Sequence, residues 1–213
     1  MSLSETLKQI EEELMNRDNV RQEIHMAMRK ARRLSKRAIF LVHRNQLDDA
    51  EKTLGRAGDL LAGLANLSKS FPDLLYMGSV DSAFQEYTEA QILVGLVRKK
   101  RFVGYDEINV PPSSYVLGLA DVIGEFRRRA LDFLRKGKNE RAEECMDFME
   151  TIYAELINLD NIQMLIPGLR RKCDVGRRVI EATRGDITID ARRSLLENSI
   201  KELRKTLEAK KKE

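Results

Sequence analysis

Ala83-Phe84-Gln85-Glu86-Tyr87-Thr88-Glu89-Ala90 and Gly118-Leu119-Ala120-Asp121-Val122-Ile123-Gly124-Glu125 each place two carboxylates one helical turn apart. Glu86 and Glu89 stand at i,i+3 and Asp121 and Glu125 at i,i+4, so each pair shares a helix face. The face is not a solvent face. From Glu86 and Glu89 the stripe runs on through Ala90, Leu93 and Leu96/Val97; from Asp121 and Glu125 it runs back through Gly118, Leu117 and Ser114. Two helices carrying acids on the side meant for a neighbour are the frame on which the rest of the chain is read.

An ionised carboxylate taken out of water without a partner is expensive, and like charges one turn apart repel by roughly 0.2–0.5 kcal/mol even when exposed. Four such groups between packed helices require a divalent cation or several arginines. Hard cations such as Mg²⁺ or Mn²⁺ suit an all-oxygen ligand set. Solvation or pairing with arginine is the commoner fate of acids on a helix, and it stands beside the metal reading as the alternative.

Outward from these stretches the chain is helical in pattern. No Pro or Gly interrupts Ser4 to Arg44, where Ile24, Met28, Ala31, Ala38 and Leu41/Val42 recur at helical spacing. One long helix over 4–44 is expected, fraying near Asn16 to Asn19, its polar positions rich in Arg and Lys. A second helix is expected over 47–70, ended by Phe71-Pro72; Gly55, Gly58 and Gly63 within it point to close backbone packing. The acid-bearing helices are expected over 80–101 and 113–135, separated by a break with Gly104, Pro111 and Pro112. Further helices are expected over 139–159, 169–183 and 190–210, the last two parted at Gly185-Asp186. No alternating strand pattern occurs, so the fold class is all-α, a single domain over 1–213 of about seven helices.

Composition narrows the chemistry. With 213 residues, 34% of them charged and no Trp, the chain can bury a core and has no apolar run long enough to span a membrane. Glu5, Glu11, Glu12 and Glu13 leave no room for the apolar centre of a secretory signal, and Cys145 and Cys173 stand far apart without a CxxC spacing, so a cytoplasmic home is expected. Only His25 and His43 are present, both in the first helix. An imidazole-based ribonuclease therefore has little to work with, and the Glu-x-x-His signature of di-iron bundles is missing. Gly137-Lys138 lacks the rest of a phosphate loop. Basic bursts occur at Arg32-Arg33, Arg98 to Arg101, Arg127-Arg128-Arg129 and Arg170-Arg171-Lys172. Two of them follow the acid pairs on the same helices, which would draw phosphates toward a metal site.

Ser35-Lys36-Arg37-Ala38-Ile39-Phe40-Leu41-Val42-His43-Arg44, together with Gln85 to Ala90 and Tyr115 to Glu125, resembles the translin superfamily. The likeness is nearer to its catalytic branch, TRAX (translin-associated factor X), and suggests an archaeal-type translin/TRAX homologue. The resemblance implies a helical fold, a homo-oligomer closing into a hollow octamer, RNA held inside and Mg²⁺-dependent endoribonuclease activity. The TRAX-type catalytic and metal-binding acids carry over to Glu86, Glu89, Asp121 and Glu125. The basic stretch that serves nucleic-acid binding in translin corresponds here to Tyr76-Met77-Gly78-Ser79-Val80-Asp81, which is not basic.

The expected mechanism is metal-assisted hydrolysis of RNA by Mg²⁺ (or Mn²⁺) on those four acids, with Arg37, Arg127, Arg128 and Arg129 as phosphate contacts. Partners would be short single-stranded or duplex RNA, and in addition single-stranded DNA. Recognition of backbone and shape predicts a strong salt dependence. The alternative from another class is a non-catalytic RNA- or DNA-binding oligomer whose acids are structural.

Overall fold

The long first helix, α1, spans Leu3–His43 and starts at a reciprocal cap: Ser2 Oγ accepts from the Glu5 N–H at 3.2 Å while the Glu5 carboxylate accepts from the Ser2 N–H at 2.7 Å. This is a computed structural model, which describes residues 2–76 and 78–210, without the side chains at 65, 76, 79, 160, 209 and 210. Met77, in the non-basic stretch quoted above, lies outside the described residues. The helix continues through Asn16 to Asn19, where fraying was expected. There the Asp18 carboxylate accepts from Arg21 and Gln22, one turn on, and holds the turn closed. Its apolar stripe is buried only from Ile24 onward, through Met28, Ala31, Leu34, Ala38 and Val42.

Helix α2, Leu47–Leu67, and helix α3, Gly78–Lys99, pack on that stripe and on each other. Of the three α2 glycines, Gly58 is the one in close contact: a Cβ there would lie 2.7 Å from the Tyr87 hydroxyl. Gly55 and Gly63 have nothing within 4 Å of that position, so their reason is not packing. A short 3₁₀ turn, Pro72–Tyr76, connects α2 to α3. After α3 the loop is tied by Arg101, which donates to both oxygens of Glu107 at 2.8 and 2.6 Å, and by the Gly104 N–H, which donates to the same carboxylate at 2.7 Å. Tyr115 at the start of α4, Pro112–Leu134, closes it by donating to the Val103 carbonyl at 2.6 Å.

The chain divides into two compact units, Met1–Val122 and Ile123–Glu213, with the boundary inside the continuous helix α4. In the second unit, α4 packs with α5, Asn139–Ile157, and α6, Leu169–Lys210. Phe126 meets Phe148 at 5.0 Å between ring centroids, and Gly176 gives Ile123 room against α6. Six α-helices, and no strand, occur among the described residues. The expected count of about seven is corrected at Gly185: the two final helices are one. Glycine in a helix costs only about 1 kcal/mol relative to alanine. Across the expected break the Arg127 guanidinium donates to Thr183 Oγ1 at 2.8 Å and pairs with Asp186 at 3.1 Å, while Thr183 itself bonds back to the Val179 carbonyl. Those bonds favour helical backbone on both sides of Gly185.

Both long helices carry an exposed apolar stripe at heptad spacing. On α1 it is Leu3, Leu7, Ile10 and Leu14; on α6 it is Leu196, Ile200, Leu203 and Leu207. Rows at this spacing are the seams by which helices pair with other helices. Among the described residues no helix is long and apolar enough to cross a membrane.

Candidate functional site

The acidic stretches meet where α3 and α4 touch backbone to backbone. Gly118 makes that approach possible: a Cβ there would stand 2.6 Å from the Gln85 carbonyl oxygen and 2.7 Å from Thr88 Cβ. Only hydrogen fits in that gap. Asp121 lies one turn further along α4, and its carboxylate accepts from Gln85 Nε2 at 2.5 Å. Gln85 thus joins the two stretches twice, through its backbone at Gly118 and through its side chain at Asp121.

Glu86 is 20% exposed and turns to the basic face of α1, with Lys36 Nζ at 3.2 Å and Arg32 at 3.6 Å from one carboxylate oxygen. Arg32 and Lys36 are one turn apart, so one face of α1 serves both contacts. For this acid, pairing with cations is what the structure shows. The pairing is not a lock, because the side chains of Arg32 and Lys36 are 42% and 60% exposed. Ion pairs of that exposure contribute about 0–1 kcal/mol. Glu89 is half-buried beside Thr88, whose hydroxyl is fully buried without a described hydrogen-bond partner. Ser114, one turn before Gly118, has a buried hydroxyl in the same condition. Glu125, in the second unit and one turn on from Asp121 in α4, is 23% exposed and lies 3.9 Å from Arg128.

The donor set suits a hard cation, since the side chains at this seam offer carboxylate, amide and hydroxyl oxygens and no sulfur or imidazole. Among the described residues no three of His, Cys, Asp and Glu stand close enough together to hold a metal ion by themselves. Mg²⁺ does not require that: it is commonly held by one or two carboxylates while keeping several waters and taking oxygens from its substrate. Carboxylate, amide and hydroxyl oxygens are the donor types that Mg²⁺ takes.

The expected phosphate contacts separate. Consecutive helix residues point about 100° apart, and Arg127, Arg128 and Arg129 do so here. Arg127 is committed to Thr183 and Asp186, Arg128 is exposed, and Arg129 lies over the Phe133 ring at 5.4 Å. Burial pushes the Arg129 guanidinium below its usual value, with nearby charges weighing less. Arg37 is exposed on α1 and lines a cavity between α1 and α2. Sequence reasoning did not name Gln85, Arg32 or Lys36 as partners of the acids. Their signal was present only as polar residues recurring at i,i+4, which fixes a shared face without naming what it meets.

The sequence profile described as "Translin family" matches residues 19–182. A protein of Methanocaldococcus jannaschii, MJ0175, is 32% identical over 176 residues, which cover 82% of this chain and 78% of that protein. Among solved structures, AfC3PO superposes with a TM-score of 0.80 at 30% identity, covering 89% of this chain and 99% of that one. AfC3PO in complex with duplex RNA gives 0.79 at 29%, covering 89% and 98%. Apo-NeC3PO gives 0.79 at 25%, covering 89% and 100%.

Proposed function

We propose, for a chain that belongs to the translin family, that it is an RNA-binding homo-oligomer which cleaves RNA phosphodiester bonds with Mg²⁺ at the α3–α4 seam. The observation that carries this reading is the Gly118 contact. It sets the Glu86/Glu89 helix directly against the helix of Asp121, in a fold whose relative AfC3PO has been solved with duplex RNA. One or two of the carboxylates of Glu86, Glu89 and Asp121 would hold the ion, with waters and phosphate oxygens completing its shell. Mg²⁺ bound there supplies Lewis-acid polarisation of the scissile phosphate and a water of lowered pKa.

The chain's own residues do the rest. Gln85 fixes the orientation of Asp121 by donating to it. Arg32 and Lys36 neutralise Glu86, and each is exposed enough to swing toward a phosphate instead. The exposed heptad rows of α1 and α6 supply seams for a homo-oligomer, for which the octamer implied by the family resemblance is the proposed form.

A second reading has one specific observation in its favour. Glu86 paired with two cations is how a structural acid behaves, and on that reading the protein binds RNA without cleaving it. The deciding experiment is cleavage of a short labelled RNA in Mg²⁺ by the wild type and by Glu89→Ala and Asp121→Ala. Cleavage abolished by EDTA and by both variants, with RNA binding retained, supports the nuclease. Cleavage unaltered in both variants sinks the proposed site, and RNA binding with no cleavage by the wild type establishes the second reading.

A further inference from the structure

We infer that the cleft between the end of α1 and the start of α2 is a second nucleic-acid site, one that grips the phosphates of a single strand and stacks a base on Phe40. The inference rests on the RNA-binding reading above and adds to it a place and a strand type. The cleft is a cavity of about 760 Å³, within the span of roughly 300–1,000 Å³ typical of ligand sites. Arg37, Phe40 and Arg44 line it from one side, at i, i+3 and i+7 along α1 and its cap. Lys52 and Arg56, at i,i+4 on α2, line it from the other, with Asp49 one turn before Lys52. Two helix faces joined by a short turn thus bring four cations and one carboxylate around one opening.

Several exposed cations elsewhere in the molecule have anionic partners: Arg17 pairs with Asp73, Arg98 with Asp48 and Glu51, Arg101 with Glu107 and Arg184 with Glu150. Arg37, Arg44, Lys52 and Arg56 make no ion pair with a described residue, although Lys52 acts on Asp48 at longer range. Unneutralised like charges gathered round a cavity repel one another, and a polyanion relieves that repulsion while releasing its counterions. The aromatic decides which polyanion. Phe40 is 49% exposed and carries the Arg44 guanidinium 5.5 Å from its ring centroid. An exposed aromatic ring beside cations is how single-strand binders take an unstacked base and its phosphates together. Duplex bases are already stacked on one another and have no face to offer.

The test is fluorescence anisotropy of the full-length protein with a labelled ten-nucleotide oligo-U and with the same length of abasic strand, in EDTA, over a range of salt. Lys52→Glu/Arg56→Glu should weaken oligo-U binding at least tenfold and lower the slope of log K against log salt by about two. Phe40→Ala should weaken oligo-U about tenfold and leave the abasic strand unchanged. All of these side chains are exposed, so circular dichroism and the melting temperature should stay at wild-type values. Should the charge reversals disturb the fold, Lys52→Gln/Arg56→Gln reads the same slope at smaller amplitude. Wild-type binding that both variants reproduce overturns the cleft. Competition by inorganic phosphate as strong as by oligo-U, at equal phosphate, overturns the strand in favour of a lone anion. No binding by the wild type overturns the RNA reading itself.

Discussion

Helix α4 carries two glycines, and the same substitution at each should act with opposite sign. Replacing glycine by alanine within a helix favours the fold by about 1 kcal/mol when nothing obstructs the new methyl group. At Gly124 nothing lies within 4 Å of the added carbon, so Gly124→Ala should stabilise by roughly 0.5–1 kcal/mol. At Gly118 the same carbon meets the Gln85 carbonyl oxygen at 2.6 Å and the Thr88 side chain at 2.7 Å. The carbonyl belongs to a helix backbone and cannot rotate aside, so α3 and α4 must part until ordinary contact is restored. Overpacking of this kind costs about 1–3 kcal/mol, and the rigid neighbour places Gly118→Ala near the upper end. After the helix-propensity gain the net loss is roughly 1–2 kcal/mol. The two variants should therefore differ by about 1.5–3 kcal/mol, or roughly 3–12 °C in melting temperature for a chain of this size. The parting also displaces Asp121 from Glu86 and Glu89. Misplacement of catalytic groups by about 1 Å costs up to about 100-fold, so RNA cleavage by Gly118→Ala should fall at least tenfold with the fold intact. Thermal melts and single-turnover cleavage on the two variants read both effects. If Gly118→Ala melts as high as Gly124→Ala, the packing argument is wrong. If it melts low and cleaves normally, the seam is not the site.

Glu107 should titrate near 2, well below the usual 4.5, because Arg101 and then the Gly104 N–H bind its ionised form. Its folded pKa is depressed, so the contribution is present above about 4.5 and lost as pH falls toward 2; the Gly104 amide should lose exchange protection over that window, and Arg101→Met should return the Glu107 titration toward its ordinary value. Leu7→Glu/Ile10→Glu on α1, or Ile200→Glu/Leu203→Glu on α6, should reduce the sedimentation coefficient of the wild-type assembly without lowering helix content. An unchanged sedimentation profile would remove that row from the interface. Gly185→Ala, with open space at its Cβ, should raise the melting temperature by about 2–4 °C; a fall would mean that the glycine serves a bend in α6.

How much of this was legible in the sequence follows from what periodicity can and cannot encode. Spacing placed Glu86 with Glu89 and Asp121 with Glu125 on shared faces, and the all-α class followed from helical stripes such as Ile24, Met28, Ala31 and Ala38, which are buried. Spacing fixes a face relative to its own helix only. That Glu86 meets Arg32 and Lys36, some fifty residues away, depends on how α1 lies on α3, and no pattern within either helix contains that angle. Glycine shows the same limit from the other side. Gly55, Gly58, Gly63, Gly118 and Gly185 look alike in the sequence, yet Gly58 and Gly118 sit under a neighbour and the other three face open space. The distinction lies in the partner helix. The α1–α2 cleft was illegible for a third reason. Arg37 and Arg44 belong to one periodic run and Lys52 and Arg56 to another, and only the turn at Asn45, with its left-handed backbone, folds the two runs together. A sequence therefore states its charges helix by helix, whereas a binding site is a sum taken across helices. The acid stretches stand out in the sequence because each sets its carboxylates on an apolar stripe; the basic cleft does not, because each half alone is an ordinary solvated face.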